Sequence, residues 1–243
     1  MSSVTFDAVT VRVDGGATLL EGFSLAVASG EAVALVGPSG GGKTTALKLV
    51  NALRRPTSGT VRVDGRATSD WDPIALRRRT GYVIQEIGLF PHRTVAENVA
   101  TVPEISGWEA SRVRARVTEL LALVGLPAAE YGDRYPHELS GGQRQRVGVA
   151  RALAADPPLV LLDEPFAALD PVTRFALGGE FRVLQRRLGR TALFVTHDLR
   201  EALRVADRLA VVADGRVRVC LAPSEIESCD DAIVRALREA SGL

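Results

Sequence analysis

The sequence predicts an α/β protein whose core is interrupted once by a run of helices. Three observations carry that expectation. Short apolar runs of the kind buried on both faces of a sheet, "AVALV", "LVLL", "TALFVT" and "RLAVVA", alternate with helical patterns. A glycine-rich turn, "GPSGGGKTT", joins the first of those runs to a helix. From residue 95 to residue 155, by contrast, the pattern is helical, most clearly in "SRVRARVTELLALVGL", where valines and leucines recur at three- and four-residue spacing.

Taken in order, the first 65 residues read as strands around one helix: "VTFDAVTVRV", "FSLAVA", "AVALV", the helix "ALKLVNAL" after the glycine turn, then "TVRVDG". The pentapeptide "VRVDG" occurs at Val11 and at Val61, and "ADGRVRV" echoes it at Ala213. The intervals are irregular, so these are strands with Asp-Gly turns rather than an internal repeat. "GYVI" is a further strand, ending at Gln85. After the helical run, the strand "LVLL", a helix following Pro171, the strand "TALFVT", a helix from Leu199 and the strand "RLAVVA" restore the alternation. The tail from Pro223 reads as one or two short surface helices.

With 243 residues and 46% hydrophobic content the chain can bury a proper core. Its formal net charge of +1 gives no general attraction to nucleic acid or acidic lipid, so no nucleic-acid partner is expected. Lys43 and Lys48 are the only lysines among 30 basic residues, a bias from which no function follows. Cys220 and Cys229 form neither a Cys-x-x-Cys pair nor a disulfide framework, which fits a reducing cytosol. No apolar run approaches the roughly 20 residues that span a bilayer, and the start "MSSVTFDAV" lacks the blocks of a signal peptide. The protein is expected to be made and kept in the cytosol.

The chemistry starts at the glycine turn. Gly37-x-x-x-x-Gly42-Lys43-Thr44 follows a strand and opens a helix, so the turn Gly37, Pro38, Ser39, Gly40, Gly41, Gly42, Lys43, Thr44 and Thr45 surrounds a place for phosphate oxygens with its backbone N–H groups, to which Pro38 adds none. Lys43 reaches the β- and γ-phosphates of a nucleotide and the Thr44 hydroxyl ligates Mg²⁺. Downstream, "LVLL" runs into Asp163 and Glu164, placing two carboxylates at the end of a central strand, where open α/β sheets bind ligands. Asp163 suits the metal, and Glu164 suits a water as general base. Gln85 and His197 also end apolar strands. Each reads either as a satisfied strand-end residue or as a contact, Gln85 to Mg²⁺ and the attacking water, His197 to the γ-phosphate. "LSGGQ", residues 139–143, looks like a second phosphate turn at a helix start, about a hundred residues after the first.

At this point the chain resembles the ATP-binding subunits of ABC transporters, and the match runs nearly its whole length. The elements in order are "GPSGGGKTT" (Walker A), Gln85 (Q-loop), "LSGGQ" (signature), "LVLLDE" (Walker B), "ALD" ending at Asp170 (D-loop) and His197 (H-loop). The resemblance implies a RecA-like P-loop NTPase core with an N-terminal antiparallel β subdomain and an inserted helical subdomain. Residues 1–86 and 157–222 would form the core with its β subdomain, 87–156 the helical subdomain and 223–243 a short helical tail. It implies ATP and Mg²⁺ as cofactors and ATP hydrolysis as the activity. It also answers for the second turn: two subunits pack head to tail, and Ser140, Gly141, Gly142 and Gln143, with Asp170, act on the nucleotide held by the partner. The homodimer would be complete in itself. One element departs from the family pattern, since the aromatic that stacks on adenine is replaced by Val13, and Phe6 lies too early.

Within the family, "TGYVIQEIGLFPHRTVAENVATVP", "RYPHELSGGQRQRVGVARALAADP" and "DEPFAALDPVTR" resemble the ATPases of osmoprotectant importers, which take up glycine betaine, choline, carnitine and related quaternary amines. Importers of other small solutes share many of these features, and a soluble ABC ATPase outside transport is a further alternative. The resemblance implies integral membrane permease subunits as partners, an extracytoplasmic solute-binding protein acting through them, and a place on the inner face of the cell membrane. Ile87, Leu89 and Phe90 fall where family members dock a permease helix, although core residues would read the same. The sequence ends at Leu243 without room for the paired regulatory domains that some members carry, so osmotic sensing is expected to lie elsewhere.

Overall fold

The computed structural model describes residues 2–85, 88–167 and 169–243. Among the described residues, ten strands form two sheets. The first is antiparallel and contains β1 (Val4–Arg12), β2 (Thr18–Val27), β4 (Ser58–Val63) and β5 (Arg66–Ala67) in the order β2-β1-β4-β5. The second contains β3 (Ala32–Val36), β6 (Thr80–Val83), β7 (Leu159–Asp163), β8 (Thr191–Val195), β9 (Arg208–Ala213) and β10 (Arg216–Leu221) in the order β10-β9-β3-β8-β7-β6. All neighbours in it are parallel except the edge hairpin of β9 and β10.

Every residue of β3, β7 and β8 is buried, which is why these strands read as unbroken apolar runs rather than as alternations. Their pleat divides the molecule. Val33, Leu35, Leu161, Leu193 and Val195 face a core shared with the first sheet and with α1 (Lys43–Val50). Ala34, Val36, Leu162, Ala192 and Phe194 face the opposite core, built with α3 (Val95–Ile105), α4 (Ala110–Leu123), α6 (Gly141–Leu153), α7 (Pro171–Leu188) and α8 (Leu199–Val205).

The remaining helices are short: α2 (Pro73–Arg78), α5 (Ala128–Tyr131) and α9 (Ala232–Ser241). Between β6 and β7 the described chain forms helices α3 to α6 and a single 3₁₀ turn. A capping box of Thr94 and Glu97 starts α3. Inside it Asn98, fully buried, bonds the backbone of Phe90, Arg93 and Thr94 and so fixes the loop before the helix. Helix α4 turns Val113, Val117, Leu120 and Leu121 inward. The tail holds a 3₁₀ turn and α9.

Local chemistry sets the differences from the sequence reading. β2 begins at Thr18, five residues before "FSLAVA", because a left-handed Gly22 (φ 58°) and bulges in its pairing with β1 break the alternation. Helix α1 stops at Val50, before "NAL". Two of the three Asp-Gly pairs, at Asp64 and Asp214, have both residues left-handed and close two-residue hairpins. The third belongs to a longer loop, closed by Val13 N–H donating to the Ala17 carbonyl at 3.0 Å.

Candidate functional site

The glycine turn leaves β3 and enters α1 between two other backbones. A Cβ on Gly37 (φ 139°) would lie 2.1 Å from the Val212 carbonyl oxygen of β9, and one on Gly42 (φ 96°) 2.6 Å from the Leu19 carbonyl oxygen of β2. Only glycine fits either place. Gly42 is the N-cap of α1, no side chain caps that helix, and its first turn has no acidic residue, so its leading N–H donors are left for an anion. Lys43 arches back over the loop, 8% exposed, and its Nζ donates to the carbonyls of Gly37 at 2.8 Å and Pro38 at 2.7 Å. Burial pulls its pKa below the usual lysine value, opposed by the charges of Glu164 and Asp163.

Three adjacent strands deliver the other groups. β7 lies between β6 and β8, with Leu162 beside Val83 and Asp163 beside Val195, so Gln85, Asp163 and His197 leave the sheet at one end. Asp163 is 2% exposed and its Oδ1 accepts the Thr44 hydroxyl at 2.9 Å. Burial raises the Asp163 carboxyl, the Thr44 hydrogen bond opposes this, and Glu164 adds to it. Glu164 is left-handed (φ 49°), which costs a non-glycine residue about 1–3 kcal/mol. Its N–H donates to the Val195 carbonyl at 3.0 Å, and its Oε2 stands 3.5 Å from His197 Nδ1.

Ser39 to Thr45, Gln85, Glu164, His197 and Leu19 line one cleft of about 320 Å³. Ser140, Gly141, Gly142, Gln143 and Asp170 do not line it. They serve as helix starts instead. Ser140 Oγ accepts the Gln143 N–H at 3.2 Å while Gln143 Oε1 accepts the Ser140 N–H at 2.8 Å, a capping box on α6. Asp170 caps α7 by accepting the Thr173 N–H at 3.0 Å, and hydrogen bonds from Thr173 hold its carboxyl below the usual value. Val13 follows β1 and lies outside the cleft's lining. Ala168 of "ALD" and Ile87 lie outside the described residues.

Leu19, Val195, Gln145 and Arg174 escaped the sequence reading, and Val195 lines the cleft from the end of β8. Leu19 lines the cleft from β2. Gln145, 2% exposed, donates from Nε2 to the Glu164 carbonyl at 2.9 Å and ties α6 to that left-handed residue. A polar residue on the buried face of α6 was the available signal, legible only once that face is known. Arg174 bonds Asp198 and the carbonyls of Ala167 and Leu169. Farther from the cleft, a groove of about 390 Å³ beside β6, α3 and α6 is lined by Gly88, Phe90 and Ile105, the last two 40% and 56% exposed. Leu89 packs partly buried against the core.

Such a phosphate turn, with carboxylates and a histidine on adjacent parallel strands and a helical run between, defines the class, and the chain belongs to the ABC transporter family, whose profile matches residues 20–167. Among relatives, it is 50% identical over 212 residues to the glycine betaine/carnitine/choline transport ATP-binding protein OpuCA of Bacillus subtilis, covering 87% of this chain and 56% of that protein. It is 48% identical over 207 residues to the osmoprotectant import ATP-binding protein OsmV of Salmonella typhimurium, covering 85% and 54%. It is 54% identical over 183 residues to the glycine betaine uptake system ATP-binding protein YehX of Escherichia coli, covering 75% and 59%. The chain therefore spans just over half the length of these relatives. The ATP-binding cassette MJ0796, solved as a dimer in a post-hydrolysis state with ADP and Pi, superposes with a TM-score of 0.84 at 33% identity, covering 90% of this chain and 98% of that one. The fold is that of this cassette, a P-loop NTPase core with an antiparallel sheet and a helical part.

Proposed function

We propose that this chain is the ATP-hydrolysing subunit of an ABC importer for an osmoprotectant such as glycine betaine, choline, carnitine or a related quaternary amine. The observation that carries the hydrolytic part is the convergence of Lys43, Glu164, His197 and Gln85 on one cleft at the N-terminus of α1. The printed functions of the relatives support the substrate class.

In this reading the uncapped N–H groups of α1 and the Lys43 ammonium hold the phosphates of ATP. Lys43 exchanges the Gly37 and Pro38 carbonyls for phosphate oxygens. Glu164 accepts a proton from the attacking water, and His197, beside it, donates to the γ-phosphate. Thr44, Asp163 and Gln85 offer the hard oxygen donors that Mg²⁺ takes, and the hydroxyl and carboxylate already lie 2.9 Å apart. When bound, the ion would neutralise charge on the phosphates.

Ser140, Gly141, Gly142, Gln143 and Asp170 serve a second copy packed head to tail, which agrees with their absence from the chain's own cleft. Residues 87–156 form the helical subdomain, 1–86 and 157–222 the core, and 223–243 the tail. Phe90 and its groove receive a permease subunit, and an extracytoplasmic solute-binding protein acts through that permease. The subunit works peripherally on the cytoplasmic face; among the described residues no helix is long and apolar enough to cross a membrane.

The test is uptake of labelled glycine betaine at high osmolarity, in cells whose sole copy is the native chain or its Lys43→Ala variant. Loss of uptake in the variant is expected. Unchanged uptake with an expressed, hydrolytically dead variant contradicts the substrate class.

A further inference from the structure

His197 is held in place by very little of its own. Its side chain is 59% exposed and its Nδ1 lies 3.5 Å from Glu164 Oε2. Its neighbours in the chain are tied down instead. Asp198 Oδ2 accepts Arg174 Nη1 at 3.1 Å, and Asp198 Oδ1 accepts the N–H groups of Arg200 and Glu201 at the start of α8. Thr196, 2% exposed, accepts the Asp198 N–H at 3.1 Å and donates its own hydroxyl to Glu201 Oε2 at 3.1 Å.

Arg174 has a second set of partners. Its Nη2 donates to the carbonyls of Ala167 at 3.3 Å and Leu169 at 3.2 Å, in the loop that follows Glu164. That loop folds back on Glu164, because the Ala167 N–H donates to the Glu164 carbonyl at 3.3 Å. The contacts close a ring: Glu164, the Ala167 loop, Arg174, Asp198, His197 and back to Glu164. The Glu164–His197 approach is one link, and Arg174 bridges the two loops through separate nitrogens of one rigid guanidinium.

We infer that Arg174 is a positioning residue for His197, fixing its distance from Glu164 by joining the loop after β7 to the turn after β8. The inference rests on the hydrolytic reading of the cleft. Arg174 is not among the residues that line the cleft; it acts through Asp198 and the Ala167 and Leu169 carbonyls. A lysine cannot replace it, since a single ammonium reaches one loop or the other.

The test compares Arg174→Ala, and Arg174→Lys should the first fail to fold, with the native chain in two ways. In ATPase assays kcat should fall about tenfold with KM for ATP little changed, as misplacement of a catalytic pair would cause. In the His197→Ala background the same change should cost nothing further, because the residue it positions is gone. In proton spectra the imidazole signal of His197, assigned by its loss in His197→Ala, should move in the Arg174 variants, while the other two histidines, His92 and His137, keep theirs. An unmoved His197 signal, or an equal loss of kcat in both backgrounds, overturns the inference. Absence of ATPase activity in the native chain would instead sink the hydrolytic reading, and the His197 signal alone would still decide whether Arg174 positions that side chain.

Discussion

Glu201 is a half-buried carboxylate in a place where charge is costly. Burial pushes its pKa up to about 7 against the Thr196 hydrogen bond, with Asp198 and Glu164 adding to the rise and Arg174 opposing it. In the folded chain the acid form is favoured, so stability is highest below the unfolded value of 4.5, falls as pH rises through the interval to about 7 and is lowest above it. Glu201→Gln keeps an acceptor for Thr196 and removes the charge. Urea unfolding should show the variant more stable than the native chain by on the order of 1–3 kcal/mol at pH 8 and equal to it at pH 4. The same difference at both pH values would contradict the assignment. Val13 offers a second test at this scale. A stacking aromatic there is worth about 0.5–1.5 kcal/mol, so Val13→Tyr should tighten ATP binding up to about tenfold in a titration. Unchanged affinity would mean that the base lies elsewhere.

Among the elements, the groove beside β6, α3 and α6 exposes Phe90 and Ile105 next to a loop that Asn98 holds rigid. Phe90→Ala should leave ATP hydrolysis by the free subunit within about twofold and abolish solute uptake by the assembled importer, since hot-spot aromatics carry interface energy. Uptake and hydrolysis both intact would remove the docking reading. The elements also show what a sequence exposes. β3, β7 and β8 were legible because burial on both faces leaves an unbroken apolar run. The first half of β2 was not, since the left-handed Gly22 and its bulges erase the alternation, and α2, capped by Asp72, is too short to show a period. Gln85, Glu164, His197 and the glycine turn were legible because they follow a strand or open a helix, whereas Leu19, inside β2, was not. Arg174 was not: its partner Asp198 lies 24 residues away, and no local pattern announces a contact of that span.

For the whole molecule, the proposed function makes the chain's own cleft half of a composite site. The cleft gathers the phosphate turn, Gln85, Glu164 and His197, while Ser140 and Asp170 spend their side chains capping helices outside it. In the proposed reading a second helix N-terminus facing the γ-phosphate comes from another copy, so closure of two copies would depend on the nucleotide, and hydrolysis would remove what favours the closed state. The measurement that tests this most directly is light scattering of Glu164→Gln, which keeps the side chain's size and removes the proposed base. With saturating Mg-ATP the scattered mass should double, and with Mg-ADP it should remain that of one chain. A variant that stays monomeric at saturating Mg-ATP would contradict the composite site.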